Sequence, residues 1–565
     1  MKKFGKVAVT AMALALLAGC GSGNGKGDKD GGTQATDSDG NKKYTAFMAV
    51  PGSEVPDDSR LNNAFAEEFG WRVKVSWLTG QTAKERIGVM VSGGEYPDIV
   101  DASDGRSAMI DAGAYVPLED KLDDYPNLKA TLSDIQWEKI KADNDGHIYT
   151  IPQFAQKDGT VDTATSYGGE AFWIQKRVLK WANYPEINTV EQYFDLINKY
   201  LAENPDTDGQ KNIGFEILSD DWRYFCLENP PQFLAGYPND GAAIVDPDTM
   251  EAKVYDKIPE AKEYYKILSE QFEKGTIDPE TFTAKYDQYI AKLSSGRVLG
   301  MIDQGWNFQS ARDSLVSQGK DELTWAPLDL TLDENVQPQY REGGVLSTQG
   351  GIGITISCKD VDGVLQMWDD MVSEKGMILR NWGEKGVDYE VDDDGMFYRT
   401  DEQWANWKDT DYVQKNSVAF GYMPGYRGYL PDGKNTILPS EQISEFRKTL
   451  SDIDKEVLDA YKVDNWTQMV RLQDPIQPWF PIYTERNKWT SSDPAGIASQ
   501  NMQEVKMQWL PKVIMGGPAA YEQNWEDYMT AYDSQIDYKA FEDTLTKEVK
   551  RRVEIEKELE AKVDK

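Results

Sequence analysis

Tyr44-Thr45-Ala46-Phe47-Met48-Ala49-Val50, then Trp71-Arg72-Val73-Lys74-Val75-Ser76-Trp77, then Tyr96-Pro97-Asp98-Ile99-Val100 are three short runs of strand-forming residues. Pro51-Gly52 ends the first and Gly80 punctuates the second, as turns after strands require. Asn62 to Phe69 and Ala83 to Ser92, which lie between them, have helical composition. This β-α-β-α-β rhythm predicts an open α/β sheet. Ligands of such sheets collect beyond the carboxyl ends of the strands. Those ends are Pro51-Gly52-Ser53-Glu54, the segment after Trp77, and Asp101-Ala102-Ser103-Asp104-Gly105-Arg106.

Upstream, Met1-Lys2-Lys3 and an apolar run from Val7 to Leu17 lead to Leu17-Ala18-Gly19-Cys20. Basic, apolar and small residues in that order form a secretory signal, too short to stay in a bilayer as a spanning helix. A Cys directly after small residues resembles the bacterial lipoprotein signal. It implies cleavage before Cys20 and lipidation of its thiol, with residues 1–19 lost and the protein held at the outer face of the cell membrane. An ordinary signal peptide with an incidental Cys is the alternative. Residues 20–43, rich in Gly, Asp, Lys, Ser and Thr, read as a flexible tether.

Downstream, Asp145 to Pro152 is a turn running into a strand. Ala171 to Ile174 is a strand, Lys176 to Trp181 a helix, and Asn188-Thr189-Val190-Glu191 a capping pattern that opens a helix reaching about Leu201. A long helix spans Ile258 to Lys274. Val298 to Asp303 is a buried strand ending in Gln304-Gly305-Trp306. The α/β rhythm returns at Gly351 to Ile356, with a helix from Val361 to Glu374, and the chain ends in a highly charged helix from about Tyr538.

The 565 residues suffice for two or three domains. Aromatic residues make up 11%, far above a disordered acidic chain. The formal charge of -35 repels phosphates, and no basic stripe offsets it, so nucleic acid is excluded as a partner. A single His, in Asp145-Gly146-His147-Ile148-Tyr149, argues against His-dependent triads and the usual zinc sites, and it reads as a solvated turn residue. With Cys20 assigned to the lipid, Cys226 and Cys358 remain; an oxidising compartment permits them to pair, but a bridge between hinged lobes would lock the motion, so two unpaired, buried thiols are expected. No redox or organic cofactor is expected.

Five landmarks resemble one family in order and spacing: Asp145-Gly146-His147-Ile148-Tyr149-Thr150-Ile151-Pro152; Phe172-Trp173-Ile174 through Pro185, Thr189 and Glu191 to Asn204 to Asn212; Tyr264-Tyr265 through Glu273 to Asp278 and Ser295-Gly296-Arg297-Val298; Trp382 to Glu390 with Asp394-Gly395; and Ile514-Met515-Gly516-Gly517 with Trp525-Glu526-Asp527-Tyr528. The family is that of the extracellular solute-binding proteins of ABC importers, in its large lipoprotein branch associated with oligosaccharides. The resemblance implies an α/β, two-lobed, periplasmic-binding-protein-like fold (type II), monomeric, with hinged lobes closing on a ligand in the cleft. A membrane permease would then take the ligand from the closed form. Residues 44–152 with about 343–420 are expected in the first lobe, and 153–342 with about 421–565 in the second.

Sugar binding needs flat apolar faces for stacking and planar polar groups for hydroxyls. Trp306 follows a buried strand and looks like the stacking Trp of maltose-binding proteins. Trp77, Trp222 and Tyr224 are further aromatic candidates, and Asp101, Asp104 and Arg106 are candidates for the hydroxyls. Tyr167 and Gln153 are weaker ones. A core position is the competing reading of each aromatic residue. Separately, Asn204-Pro205-Asp206-Thr207-Asp208-Gly209-Gln210-Lys211-Asn212 has the oxygen spacing of a calcium loop: Asn204, Asp206, Asp208 and Asn212 offer side chains, Gln210 its carbonyl, and Gly209 the turn. An ordinary Asp/Gly turn is its alternative. At the level of function, an extracellular glycoside hydrolase with a carboxylate pair, a surface adhesin and a peptide receptor on the same fold stand beside the importer component.

Overall fold

Two four-stranded sheets organise the chain in the computed structural model, which describes residues 34–154, 156–157, 159–341, 346–472, 476–490 and 492–563. The strands are β1 (Lys42–Met48), β2 (Trp71–Trp77), β3 (Ile99–Asp101), β4 (Glu170–Gln175), β5 (Ile213–Ile217), β6 (Val298–Gln304), β7 (Trp325–Leu328) and β8 (Ile352–Ile354). The first sheet has the order β8-β3-β1-β2 and the second β7-β4-β6-β5. The signal, Cys20 and the tether as far as residue 33 lie outside the described residues.

In the first sheet, β1 runs parallel to both neighbours, with Met48 opposite Trp77 on one side and Asp101 on the other. Helices α1 (Arg60–Phe69) and α2 (Ala83–Gly93) make the crossovers. Ser59 caps the first and a Thr82/Glu85 capping box opens the second, while Gly70 and Gly94 end them in the left-handed conformation. Order starts earlier than expected. Asp37 accepts from the backbone and amide of Asn41 and pairs with Arg72, so the last ten residues assigned to the tether are folded against β1 and β2.

The second sheet is mixed: β6 is parallel to β5 and antiparallel to β4. Every residue of β4 is buried, as a central strand covered on both faces requires. Its core gathers Phe172, Trp173, Phe215, Met301 and Ile302 with Tyr264 and Tyr265 from helix α3 (Pro259–Lys274). Three C-terminal helices complete this body: α4 (Pro494–Met515), α5 (Pro518–Gln535) and α6 (Tyr538–Val563). The helix expected over Val361 to Glu374 stops at Val372, because Ser373 turns the chain and its hydroxyl caps a second helix at Gly376.

The chain passes between the bodies next to its own return. Ile151 exchanges backbone hydrogen bonds with Ile352. Gly351, at φ +116°, sits where a Cβ would lie 2.4 Å from the Ile151 carbonyl, so the two crossing segments touch only because that residue is glycine. The later change of body falls after the expected residue 420. Phe420 and Met423 belong to the first core, and Leu430 and Ile437 pack on Met377, whereas Ile453 and Val457 belong to the second. The segment 421–438 therefore sits with the first body.

Candidate functional site

β5 and β6 are adjacent and parallel, so their carboxyl ends open on the same edge of the second sheet. The turn after β5 is Asp221–Tyr224, and β6 is followed by Gly305-Trp306. This topology sets the Trp222 and Trp306 rings parallel, 8° apart with centroids 5.9 Å from each other. Both stay open, Trp222 at 55% and Trp306 at 51% exposure. Large aromatic faces left in water on two adjacent residues form an apolar platform rather than a stray surface contact.

The platform is held from behind. The Arg223 guanidinium lies 4.4 Å from the Trp222 ring centroid and 3.8 Å from that of Tyr286, a cation sandwiched by two rings. Its Nε donates to Asn307 Oδ1 at 3.0 Å, and Asn307 Nδ2 donates to the carboxylate of Asp303 at 3.0 Å. Asp303 is buried and also accepts from the Tyr289 hydroxyl at 2.6 Å and the Cys226 thiol at 3.3 Å. Burial pushes its carboxyl up to about 6 against those hydrogen bonds. Asp221 has φ +53°, a conformation uncommon outside glycine, in the turn that presents Trp222. A Cβ on Gly305 would lie 2.7 Å from the Tyr167 carbonyl, so this glycine lets Trp306 reach the edge.

The platform forms one wall of a cavity of about 890 Å³ between the bodies, within the range of small-ligand sites, roughly 300–1,000 Å³. Phe154, 53% exposed, and Arg427 also line it. At the floor, Glu170 begins β4 opposite Gln304 and is 2% exposed. Its Oε2 accepts from Asn229 at 3.0 Å and Asn239 at 2.8 Å. Burial lifts this carboxyl to about 8, and that of the neighbouring Asp240 to about 7.

The structure thus brings Trp306 and Trp222 together and, Tyr167 apart, places the other candidates off the cavity lining. Trp77 meets Tyr422 edge-on at 5.4 Å, and Tyr422 meets Phe154 edge-on at 5.3 Å, so Trp77 supports the wall from behind. Tyr224 is a core residue whose hydroxyl donates to the Lys506 carbonyl; it sits on the inner side of the turn that turns Trp222 outward. Asp101 is buried and accepts from Gln153 Nε2 and the Ser103 backbone. Arg106 is buried and donates to Thr150, Asn144 and Gln349, which ties the third strand end to the crossing segments. Asp104 is exposed and lies off the cavity lining. Gln153 is taken up by Asp101 and the Tyr422 carbonyl, whereas Tyr167 does line the cavity. Glu170, Asn229, Asn239 and Asp240 escaped the sequence reading because they are polar residues without a motif; pairing of β4 with β6 places Glu170, and hydrogen bonds from Asn229 and Asn239 gather on it.

Asn204 to Asn212 folds as a hairpin in which Asp206 faces Lys211 and Thr207 faces Gln210 across a turn at Asp208-Gly209, φ +53° and +75°. Asn212 Oδ1 accepts from the Thr207 hydroxyl at 2.6 Å, Asn204 Nδ2 donates to the Tyr200 carbonyl, and Asp208 lies 3.4 Å from Lys320 Nζ. No group of three or more His, Cys, Asp or Glu poised for a metal occurs among the described residues. Cys226 and Cys358 are free thiols. His147 sits in its turn 2.6 Å from Glu119.

Two α/β bodies joined by crossing segments around an aromatic-walled cleft define a two-lobed binding protein. Residues 61–363 match the family described as bacterial extracellular solute-binding protein, more than half of the chain, and the chain belongs to that family. It is similar, at 26% identity over 272 residues, to the fructooligosaccharide ABC transporter substrate-binding protein FusA of Streptococcus pneumoniae, an alignment covering 44% of this chain and 48% of the relative. Lipoprotein LipO of Bacillus subtilis is 23% identical over 426 residues, 72% of this chain and 79% of that one. Among solved structures, an EF-hand mutant of the S. pneumoniae protein FusA in complex with fructo-nystose superposes with a TM-score of 0.60 at 17% identity, covering 90% of this chain and 99% of the other.

Proposed function

We propose that this chain is the substrate-binding component of an ABC importer, which captures an oligosaccharide between its two bodies and delivers it to a membrane permease. The observation that carries this reading is the parallel, exposed Trp222–Trp306 platform at the carboxyl ends of two adjacent strands, facing a cavity of about 890 Å³. Sugar rings offer C–H faces that pack on indole, and their hydroxyls need amide and carboxyl partners of the kind Asn229, Asn239 and Glu170 supply next to the platform. The likeness to a fructooligosaccharide-binding relative supports the same class of ligand. The crossing segments at Ile151 and Gly351 act as the hinge, and closure brings Phe154 towards the indoles.

Residues 1–19 act as the export signal, and Cys20 carries the lipid that keeps the protein beside its permease. The likeness to a lipoprotein supports this. The chain acts as a monomeric receptor and not as a hydrolase. A thermal-shift screen of the purified mature protein against neutral and acidic oligosaccharides, followed by product analysis, tests the reading. A saturable shift without products is expected; cleavage of the bound glycan, or no shift across the panel, would overturn it.

A further inference from the structure

The cavity has a second open apolar face, supplied by a part of the chain well beyond the matched residues 61–363. The turn Tyr483–Lys488 brings Tyr483 and Arg486 to it, and α4 brings Gln503 and Met507. In a 3-10 turn, side chains three residues apart eclipse; four apart on an α-helix, they share a face. Each pair thus offers one apolar and one polar group together. Tyr483 is 46% exposed and Met507 47%, whereas Ile482 and Thr484, on either side of the tyrosine, are buried. The backbone under Tyr483 is fixed from several elements. Trp479, Phe480 and Ile482 sit in the second core. Arg552 of α6 donates to the Trp479 carbonyl at 3.1 Å, the Pro481 carbonyl at 2.6 Å and the Thr484 hydroxyl at 3.1 Å. The Ile482 N–H donates to Asp240 at 2.6 Å. A turn so constrained is ordered before any ligand arrives, which lowers the entropic cost of binding there. Arg486 donates to the Gly241 carbonyl at 3.3 Å and forms no ion pair among the described residues, so further N–H donors of its guanidinium remain for a ligand.

Resting on the oligosaccharide reading above, we propose that Tyr483 and Met507, with Arg486, form a second sugar subsite in the cleft, through which the protein selects glycans by chain length. The Trp222–Trp306 platform stands on the turns after β5 and β6, within the matched residues; the second face stands on the C-terminal part that α6 holds in place. A flat phenol ring and a pliable thioether suit the C–H face of a sugar. The guanidinium donates to hydroxyls whether or not the ligand is charged. Both faces belong to one cavity of about 890 Å³, near the upper end of the roughly 300–1,000 Å³ usual for ligand sites. A monosaccharide covers one face and leaves the other in water. An oligomer that reaches both gains the second contact without a second loss of overall translation and rotation. Chain length is read as the difference between one occupied face and two.

Titration calorimetry on the mature chain tests this with size series of fructo-, xylo-, manno- and galacturono-oligosaccharides, each from monosaccharide to hexasaccharide. In the series that binds, affinity is expected to rise with length and then level off. Tyr483→Ala should weaken the longer members about tenfold and leave the shortest binding member unchanged, while Tyr483→Phe should bind as the wild type does. Arg486→Gln and Met507→Ala should lose affinity for the same longer members. Trp306→Ala, by contrast, should weaken every length. Wild-type affinity that is independent of length, or Tyr483→Ala and Arg486→Gln proteins that match the wild type throughout, overturns the subsite and leaves the oligosaccharide reading intact. A loss in Tyr483→Ala that is equal at every length overturns it too, because the tyrosine then shares the subsite of the tryptophans. Failure of the wild type on every series takes down the oligosaccharide reading and this inference with it. Where Tyr483→Ala does not fold, Arg486→Gln and Met507→Ala decide the matter.

Discussion

Trp306 and Trp222 are costly residues to leave half in water, and their shared plane is maintained by a chain of contacts running from Trp222 through Arg223 and Asn307 to the buried Asp303. Trp306→Ala and Trp222→Ala should each weaken glycan binding tenfold to a hundredfold, about 1–3 kcal/mol, and barely move the melting temperature, since both rings are exposed; calorimetry and thermal melting read the two effects separately. Glu170 gives a second test at this scale, through pH. Its folded-state value of about 8 lies above the ordinary 4.5, so the native protein retains a proton that the unfolded chain releases. Stability from that group is present below about 4.5 and is lost as pH rises towards 8. Glu170→Gln keeps the shape and the acceptor for Asn229 and Asn239 without the charge. It should raise the melting temperature by a few degrees at pH 8 and by little at pH 5, which a melting series across that range measures.

At the level of elements, the hairpin at Asp206–Lys211 closes on its own hydrogen bonds, with Asn212 engaged by Thr207. Chelator should leave the melting temperature unchanged, and calorimetry with calcium should show no binding; a calcium-dependent rise would mean the loop re-forms around an ion. α6 behaves differently from the charged but featureless helix its sequence suggests. Phe541, Leu545, Val549 and Val553 seat it in the second core, while Arg551 reaches Asp143 and Glu556 reaches Lys139, both in the first body. Arg551 also holds Glu548, whose carboxyl burial alone would raise but which hydrogen bonds from Arg551 and Arg552 lower to about 2. Arg551→Ala should cost about 1–3 kcal/mol, because it leaves a buried acid short of its partner, readable as a lower midpoint in urea unfolding.

At the scale of the whole molecule, the anchor proposed at Cys20 and the binding body are expected to act independently. Cys20→Ser should release the protein into the medium, checked by fractionation, with glycan affinity unchanged by calorimetry. A stable lipid anchor needs two chains, and a receptor that hands its ligand to a permease gains from staying beside it.

Much of this was legible in the residues themselves. β2 was read end to end from Trp71 to Trp77, and α1, α2 and α3 within two residues at either end, because capping residues, Gly stops and hydrophobic period act over a turn or two of chain. Trp306 was legible as well, from a buried strand followed by Gly. The export signal proposed before Cys20 also rests on local chemistry alone. What only the tertiary structure decided is which residues share a space. Strand pairing places Trp222 beside Trp306 across 84 positions of chain, turns Tyr224 inward, spends Asp101 and Arg106 on internal hydrogen bonds, and gathers Glu170, Asn229 and Asn239 at the cleft floor. The reason is physical: periodicity and capping depend on neighbours a few residues apart, whereas a binding site depends on register between strands and on which polar groups remain unsatisfied once the bodies have packed.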